Sequence, residues 1–240
     1  MINVEELLYD IDLKLNKVGS NEHQNIELEN KIIALNDAQI NLIKTKFSEN
    51  NVFKMGLDSF QKRYNDLEIL IEKDKYLPLT EDKNPLKSYS CNLELLKPEY
   101  MLGVPGSEYI LADKGGCKSN PLVVNQVKHG NINVVLNNTN TKPSFEYQDI
   151  PGVISGHRWQ IFTDGTFKPT RFHLWYIRYP KKVDYPGYEH FDGRPSSRID
   201  SELPYYLKEE IVDIAVRNLA MSTENANAVQ YSQYKQQTNE

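Results

Sequence analysis

The residues best suited by type and spacing to do chemistry lie between positions 180 and 200. His190 has Asp184, Glu189 and Asp192 around it there, and imidazole with carboxylates serves both metal binding and acid–base chemistry. The spacing matches no ligand pattern of a known metal site, and Pro and Gly residues punctuate the segment. We therefore expect a solvated loop. The enzyme alternative requires His190 and its carboxylates to converge in a pocket.

The other reactive residues form no catalytic or ligand pattern. Cys91 and Cys117 lie 26 residues apart without a Cys-x-x-Cys pair, which predicts neither a zinc module nor a disulfide framework. No two of the five histidines stand four positions apart, as the ligands of a helical zinc site do. The sequence therefore predicts no catalytic residue, no cofactor and no metal.

Composition limits the remaining classes of function. The 240 residues include 28 Lys and Arg against 33 Asp and Glu, for a formal net charge of -5. Such a chain is a poor general binder of nucleic acid, although Arg171, Arg178, Lys181 and Lys182 flank aromatic residues that could form a local platform. The apolar runs are too short to span a bilayer, so we expect no membrane partner.

Apolar periodicity predicts three helices in the first third of the chain. Apolar residues recur at three- and four-residue steps from Val4 to Val18 and again from Leu57 to Ile71. Between them, a helix from about Glu22 to Phe47 carries apolar residues over a wide arc. A helix of this kind must be covered on more than one side, by its own domain or by a neighbouring subunit.

The middle of the chain changes to a β pattern broken by prolines. Candidate strands cover residues 93–96, 109–112, 122–127 and 132–136. The strongest hairpin signal joins 158–162 to 171–179 through the turn residues Asp164 and Gly165. A mainly antiparallel sheet is therefore predicted.

A last helix is predicted from near Ser201 to about Met221, followed by a polar tail that we expect to be mobile until a partner orders it. The predicted fold class is α+β, with N-terminal helices, a central mainly antiparallel β region and a C-terminal helix with an extended tail. The predicted domains are a helical packing or oligomerisation region, an antiparallel β-rich domain, the C-terminal helix and a flexible tail, over 1–75, 76–200, 201–221 and 222–240.

Contact residues are predicted from the wide-arc helix, the hairpin aromatics and the terminal helix, because aromatic and apolar stripes are typical of subunit interfaces. They are Ile33, Ile40, Phe47, Trp159, Phe162, Trp175, Leu203, Leu207, Ile211 and Ile214.

The C-terminal half resembles a family. The run LWYIRYP at 174–180, a Gly/Asp loop and then SELPYYLKEEIVDIAV at 201–216 look like virion proteins of tailed bacteriophages, in particular the crAss-like phages of Bacteroidetes. The likeness is most specific over 174–216, loose over 76–173 and absent from the N-terminal helices, and it carries over no functional residue.

The resemblance implies a structural virion component, a ring-forming head-to-tail connector, neck or tail-barrel protein that joins capsid to tail and lines the DNA passage. Its partners would be further copies of itself, the portal protein and neighbouring neck or tail proteins, with genomic DNA passing without specific contact. It would be assembled in the host bacterial cytoplasm and reside in the virion. The alternative is a phage-tail carbohydrate-binding module, using Trp159, Trp175 or Tyr188 as stacking platforms, or another virion accessory module.

Overall fold

The chain forms two compact units in a computed structural model that describes residues 1–18, 26–48, 57, 61–83, 86–190 and 193–222. The helical unit combines Met1–Ile69 with Pro180–Glu240, and the barrel unit is Leu70–Tyr179. Helices and a large mixed sheet confirm the predicted α+β class. The unit boundaries fall after residues 69 and 179, whereas the domains were predicted to change after residues 75 and 200.

The helical unit is built around its last helix. Helices α1 (Val4–Val18), α2 (Leu28–Phe47) and α3 (Gln61–Leu67) precede the barrel, and a helix of residues Lys208–Ser222 follows it. That last helix is buried over every residue from Ile211 to Val216. An apolar helix of this kind needs neighbours on several sides, and it packs against both α1 and α2. No described helix is long and apolar enough to cross a membrane.

Buried charges in this unit are paired. Nζ of Lys14 lies 2.6 Å from Oδ1 of Asp213, whose side chain is 4% exposed. Nζ of Lys46 lies 2.8 Å from Oε2 of Glu210 and 3.4 Å from Oδ2 of Asp66. Burial raises the pKa of Glu210, and Lys46 opposes that rise. Removing one member of such a cluster would leave an uncompensated buried charge.

The barrel unit contains ten described strands and one short helix. The strands are β1 (Ile71–Pro78), β2 (Thr80–Glu81), β3 (Ser88–Asn92), β4 (Tyr100–Gly103), β5 (Tyr109–Lys114), β6 (Cys117–Lys118), β7 (Leu122–Gln126), β8 (Asp149–Ser155), β9 (Arg158–Phe162) and β10 (Lys168–Arg178). Helix α4 (Ile132–Asn137) lies between β7 and β8, so the C-terminal helix Lys208–Ser222 is α5.

The two ends of the sheet are joined through the chain. Its strand order is β1-β10-β5-β7-β8-β9-β3-β2, with β4 beside β10 and β6 beside β5. Only Leu79 separates β1 from β2, so the two ends of this order belong to one nearly continuous segment. Every strand pair is antiparallel except β7 with β8, in agreement with the predicted mainly antiparallel sheet.

Alternate residues of the strands fill the barrel. Phe172, Leu174 and Tyr176 of β10 point into a core that also contains Trp159 and Ile161 of β9. The Trp159 and Phe172 rings stack with centroids 5.3 Å apart, although β9 and β10 are not neighbours in the sheet. They therefore meet across the interior.

Gly152 in β8 makes room for the indole of Trp159. A Cβ at this position would lie 2.7 Å from Cγ1 of Val124 and 2.9 Å from Nε1 of Trp159. Both distances are shorter than non-bonded atoms tolerate, so the absence of a side chain is required by packing.

Several predicted elements differ in the structure. The predicted 158–179 hairpin is wrong, because β9 pairs with β8 and β3 whereas β10 pairs with β1, β4 and β5. Gly165 does form a turn at φ 81°, but the following chain buries Phe167 and continues to another part of the barrel. The candidate strands 93–96 and 132–136 are replaced by a 3-10 turn at Leu93–Leu95 and by α4. Short apolar runs do not distinguish strand from helix.

The third predicted helix ends early. Helix α3 stops at Leu67, a 3-10 turn covers Glu68–Leu70, and Ile71 begins β1. The start of the second helix before residue 26, Phe60 of the third helix, and the tail from residue 223 lie outside the described residues. Asp192 of the acidic loop does too.

Candidate interaction surface

The ten predicted contact residues occupy three kinds of environment. Six lie in the interior of their own unit, at 0–4% exposure: Trp159, Phe162, Leu203, Leu207, Ile211 and Ile214. Three are half-buried: Ile40, Phe47 and Trp175. Ile33 is 47% exposed on α2. The six interior residues stabilise their units, and contact with another subunit stays a prediction for the whole set.

An aromatic row crosses the outer face of the barrel. Tyr76 of β1 is paired in register with His173 of β10, His173 with Tyr109 of β5, and Tyr109 with Val123 of β7. Tyr76 is 57% exposed and Val123 is 44% exposed. We call these four residues the aromatic row. Cross-strand neighbours of this kind interact directly because their side chains leave the same face of the sheet.

The rings of the row cover one another's faces. Tyr109 and His173 stack with centroids 4.7 Å apart and an interplanar angle of 4°. Tyr76 lies against His173 at 5.9 Å, and the Arg171 guanidinium is 5.2 Å from the centroid of the Tyr76 ring. The row therefore exposes Tyr76 and Val123 at its two ends, with the Arg171 cation beside Tyr76. This arrangement suits an apolar protein contact better than the flat stacking of a sugar or base.

The surroundings of His173 favour the neutral ring. Both imidazole nitrogens are shielded from solvent and have no hydrogen-bond partner among the described residues. Burial lowers the pKa of His173, Arg171 lowers it further, and Asp74 partly opposes them. A proton on this ring would place an unpaired charge inside the row.

Trp175 stands beside the row and is fixed by β1. Its Nε1 donates to Oδ1 of Asp74 at 2.8 Å, and Nζ of Lys73 lies 5.6 Å from the ring centroid. Asp74 has a φ of 52° within the register shift of β1 between Glu72 and Lys75. The irregularity aims the carboxylate at the indole, as β-bulges often re-aim a side chain.

The acidic loop is organised around Asp184, which is 5% exposed. Its Oδ1 accepts from the Tyr188 hydroxyl at 2.7 Å, and its Oδ2 accepts from the Ser197 amide at 2.8 Å. Nε2 of His190 lies 3.1 Å from Oδ2. Burial alone would raise the pKa of Asp184, but these hydrogen bonds outweigh it and the pKa is lowered. Most of the described residues of this loop are exposed, and Asp184 is the buried centre of its hydrogen bonds.

Hydrogen bonds within the loop account for the positions of Asp184 and Tyr188. Within the described residues, no group of three His, Cys, Asp or Glu side chains is placed to hold a metal ion. The carboxylate of Asp184 is instead occupied by hydrogen bonds from its own loop. Tyr188, a predicted stacking platform, gives its hydroxyl to Asp184 and meets the His190 ring edge-on at 5.0 Å.

Of the four residues of the row, only His173 could be placed on an outer strand face from the sequence. The residues Arg171, His173 and Trp175 alternate with Phe172, Leu174 and Tyr176, which is the pattern of a strand with one outward face. The partners of His173 could not be read in this way. Tyr76 and Tyr109 come from distant positions and reach the row only through the strand order.

Comparison with known proteins identifies no relative: no family model matches the chain, and no curated protein matches it. The phage family expected from residues 174–216 therefore stays a prediction.

Proposed function

We propose that this chain is a non-catalytic structural subunit that associates head to tail with copies of itself into a closed ring. In the setting implied by the sequence resemblance, the ring is part of the portal–neck–tail region of a tailed-phage virion. It would join capsid to tail and surround the DNA passage, with the portal and adjacent neck or tail proteins as its neighbours.

The observation that carries the proposal is the charge difference between the two units. The barrel unit has 13 Lys and Arg against 11 Asp and Glu, a net charge of +2, and the rest of the chain has 15 against 22, a net charge of -7. A head-to-tail contact joins two different surfaces of the same protein, and repetition of that contact closes a ring. Opposite net charges on those surfaces favour this contact over contacts between like units.

The aromatic row supplies an apolar centre for the contact on the barrel unit. Tyr76 and Val123 are exposed at its two ends, and Arg171 adds a cation beside Tyr76. Aromatic and Arg side chains are enriched at protein interfaces because they combine apolar area with polar groups.

The helical unit offers exposed apolar residues among acidic ones. Tyr9 and Leu13 are 67% and 39% exposed, and they stand four positions apart on α1. Residues at this spacing share one face of a helix. Ile33 of α2, a predicted contact residue, is also exposed and stands four positions before the exposed Asp37.

The carbohydrate-binding alternative receives less support from the same residues. Trp159 is 1% exposed, so its ring is not accessible for stacking. Trp175 is hydrogen-bonded to Asp74 with Lys73 near its ring, and Tyr188 is hydrogen-bonded to Asp184. A stacking platform requires exposed ring faces, which these three residues do not offer together.

Light scattering of the full chain at about 50 mM and about 500 mM salt tests the proposal, because salt screens attraction between oppositely charged surfaces. We expect association at low salt that weakens at high salt. The double variant Tyr76→Ser/Val123→Ser should weaken it further, whereas Tyr147→Ser, which changes a tyrosine that is 87% exposed elsewhere on the barrel unit, should not. If both variants associate equally, the aromatic row is not part of the contact. If the chain is a monomer under all conditions, it does not self-associate and the proposal is wrong.

A further inference from the structure

A second candidate site lies on the outer face of the barrel, where strands β8, β9 and β3 meet the segment after β2. A groove of about 340 Å³ opens there, lined by Asp82, Lys83, Ser90, Ser155, Arg158 and Gln160. The volume falls in the range of small-molecule sites. All the side chains in this lining are polar or charged, unlike the apolar interior of the same barrel.

The floor of the groove is a fixed network centred on Asp82. Oδ1 of Asp82 accepts from Ser90 Oγ at 2.8 Å and faces Arg158 Nη2 at 3.4 Å. Oδ2 accepts from Ser88 Oγ at 2.8 Å and from Gln160 Nε2 at 3.3 Å. Four donors fill the acceptor sites of this carboxylate, so it is not available to a cationic ligand.

The network holds Arg158 in one orientation. Its Nη2 donates to Ser90 Oγ at 2.7 Å, and Ser90 is 3% exposed. Ser88 is fully buried and accepts from Gln160 Nε2 at 2.8 Å. A guanidinium fixed at one nitrogen loses little further freedom when its other nitrogens bind a ligand.

The polar groups of the groove that have no hydrogen-bond partner indicate which kind of ligand it could bind. Among the described residues, Nε and Nη1 of Arg158, Nζ of Lys83 and the hydroxyl of Ser155 have no hydrogen-bond partner, and neither does Oε1 of Gln160. Lys83 and Arg158 together exceed Asp82 by one positive charge. The net charge of +1 can neutralise a ligand with one negative charge. A dianion such as sulfate would keep one uncompensated negative charge close to Asp82.

We propose that this groove binds a small ligand that carries one carboxylate and several hydroxyl groups, the chemistry of a sugar acid. The carboxylate is held by an N–H group of Arg158 and by the ammonium group of Lys83, because hydrogen bonds between ionised groups are short and strong. Hydroxyl groups beside it are held by Ser155 and by the amide oxygen of Gln160. The site is separate from the aromatic row, and it does not depend on ring formation.

The test uses the full chain labelled with ¹⁵N and titrated with glucuronate. The sequence has only seven arginines, so the Nε–H signal of Arg158 can be assigned by its loss in Arg158→Lys. We expect that signal to shift on binding, with a dissociation constant near or below about 1 mM. Glucose, which lacks the carboxylate, and sulfate should bind at least about tenfold more weakly. Acetate, which lacks the hydroxyl groups, should also bind more weakly.

Two variants and one control complete the test. Lys83→Gln and Arg158→Lys should each weaken glucuronate binding by about tenfold or more. Lys118→Gln, which removes an exposed lysine of β6, should leave the affinity unchanged. Lys83 is exposed, so its variant gives a result even if Arg158→Lys disturbs the network.

The proposal is overturned by any of four results. These are no shift of the Arg158 signal at about 50 mM glucuronate, equal binding of glucose or sulfate, equal binding of acetate, or wild-type affinity in Lys83→Gln.

Discussion

Asp184→Asn should destabilise the helical unit strongly, because the carboxylate has four donors around it. Oδ1 accepts from the Tyr185 amide at 2.8 Å and from the Tyr188 hydroxyl at 2.7 Å. Oδ2 accepts from the Ser197 amide at 2.8 Å and lies 3.1 Å from Nε2 of His190. Asparagine keeps one oxygen but turns an NH₂ group toward the other pair of partners. In either orientation one backbone amide, of Tyr185 or Ser197, loses its acceptor, and the second partner of that pair, the Tyr188 hydroxyl or the His190 ring, no longer faces a charged oxygen.

The magnitude follows from one lost and one weakened hydrogen bond. A hydrogen bond to a charged group contributes roughly 1.5–3 kcal/mol, so the lost bond lowers the free energy of unfolding by about 1.5–3 kcal/mol and the weakened bond adds to this. This is a large part of the ~5–15 kcal/mol that stabilises a typical domain. The lowered pKa of Asp184 has the same origin, since the folded chain favours the ionised carboxylate. Its contribution is therefore present above the ordinary carboxyl pKa and is lost as the pH falls through the folded pKa.

The assay is urea unfolding followed by far-UV circular dichroism at neutral pH. Glu189→Gln is the matched control, because Glu189 is an exposed carboxylate of the same loop, and it should change stability by less than about 0.5 kcal/mol. An Asp184→Asn variant as stable as the wild type, or more stable, would refute the structural role of the carboxylate. Added stability is the behaviour expected of a strained functional group, and it would reopen the enzyme alternative for His190.

Three further predictions concern the barrel unit. Gly152→Ala should lower the free energy of unfolding by about 1–3 kcal/mol because its methyl group has no room, measured by the denaturant midpoint of tryptophan fluorescence. One thiol per chain should react with a thiol reagent before unfolding: Cys117 is exposed, whereas burial raises the pKa of Cys91 to about 12. Two rapidly reacting thiols would contradict the buried position of Cys91. The lowered pKa of His173 should make the wild type lose stability as the pH falls below about 6.5. His173→Phe, which keeps an aromatic ring but cannot be protonated, should lose less stability over that range, and identical pH profiles would be inconsistent with a buried neutral imidazole.

Local patterns predicted the helices better than the barrel. The apolar spacing predicted α1 and the body of α5, because each helix buries one stripe or more of its own surface. The start of α5 was predicted near Ser201, but the helix begins at Lys208 after a 3-10 turn at Tyr205–Leu207. The Asp164–Gly165 turn was also recognised, but a turn does not determine which strands pair. The pairing of β10 with β1 and β5 depends on residues far apart in the chain, and no local pattern contains that information.

The candidate sites were likewise predictable only where they depend on local sequence. Trp159 and Phe162 were selected as aromatic contact residues, yet they lie inside the barrel. Residue type alone does not separate a core ring from an interface ring, since both environments favour aromatic residues. The Asp82 network was missed because Ser88, Ser90 and Gln160 are unremarkable residues until β3 and β9 are paired in register.

The mass of the purified full chain in solution, with negative-stain images at low salt, tests the central claim most directly. The measurement is made on the chain alone and after addition of the portal protein that the proposed phage setting implies as its partner. A closed ring whose mass is a whole multiple of 27.8 kDa, formed alone or on the portal, is the predicted result. A particle of 27.8 kDa in both samples, with no ring in the images, would contradict the account.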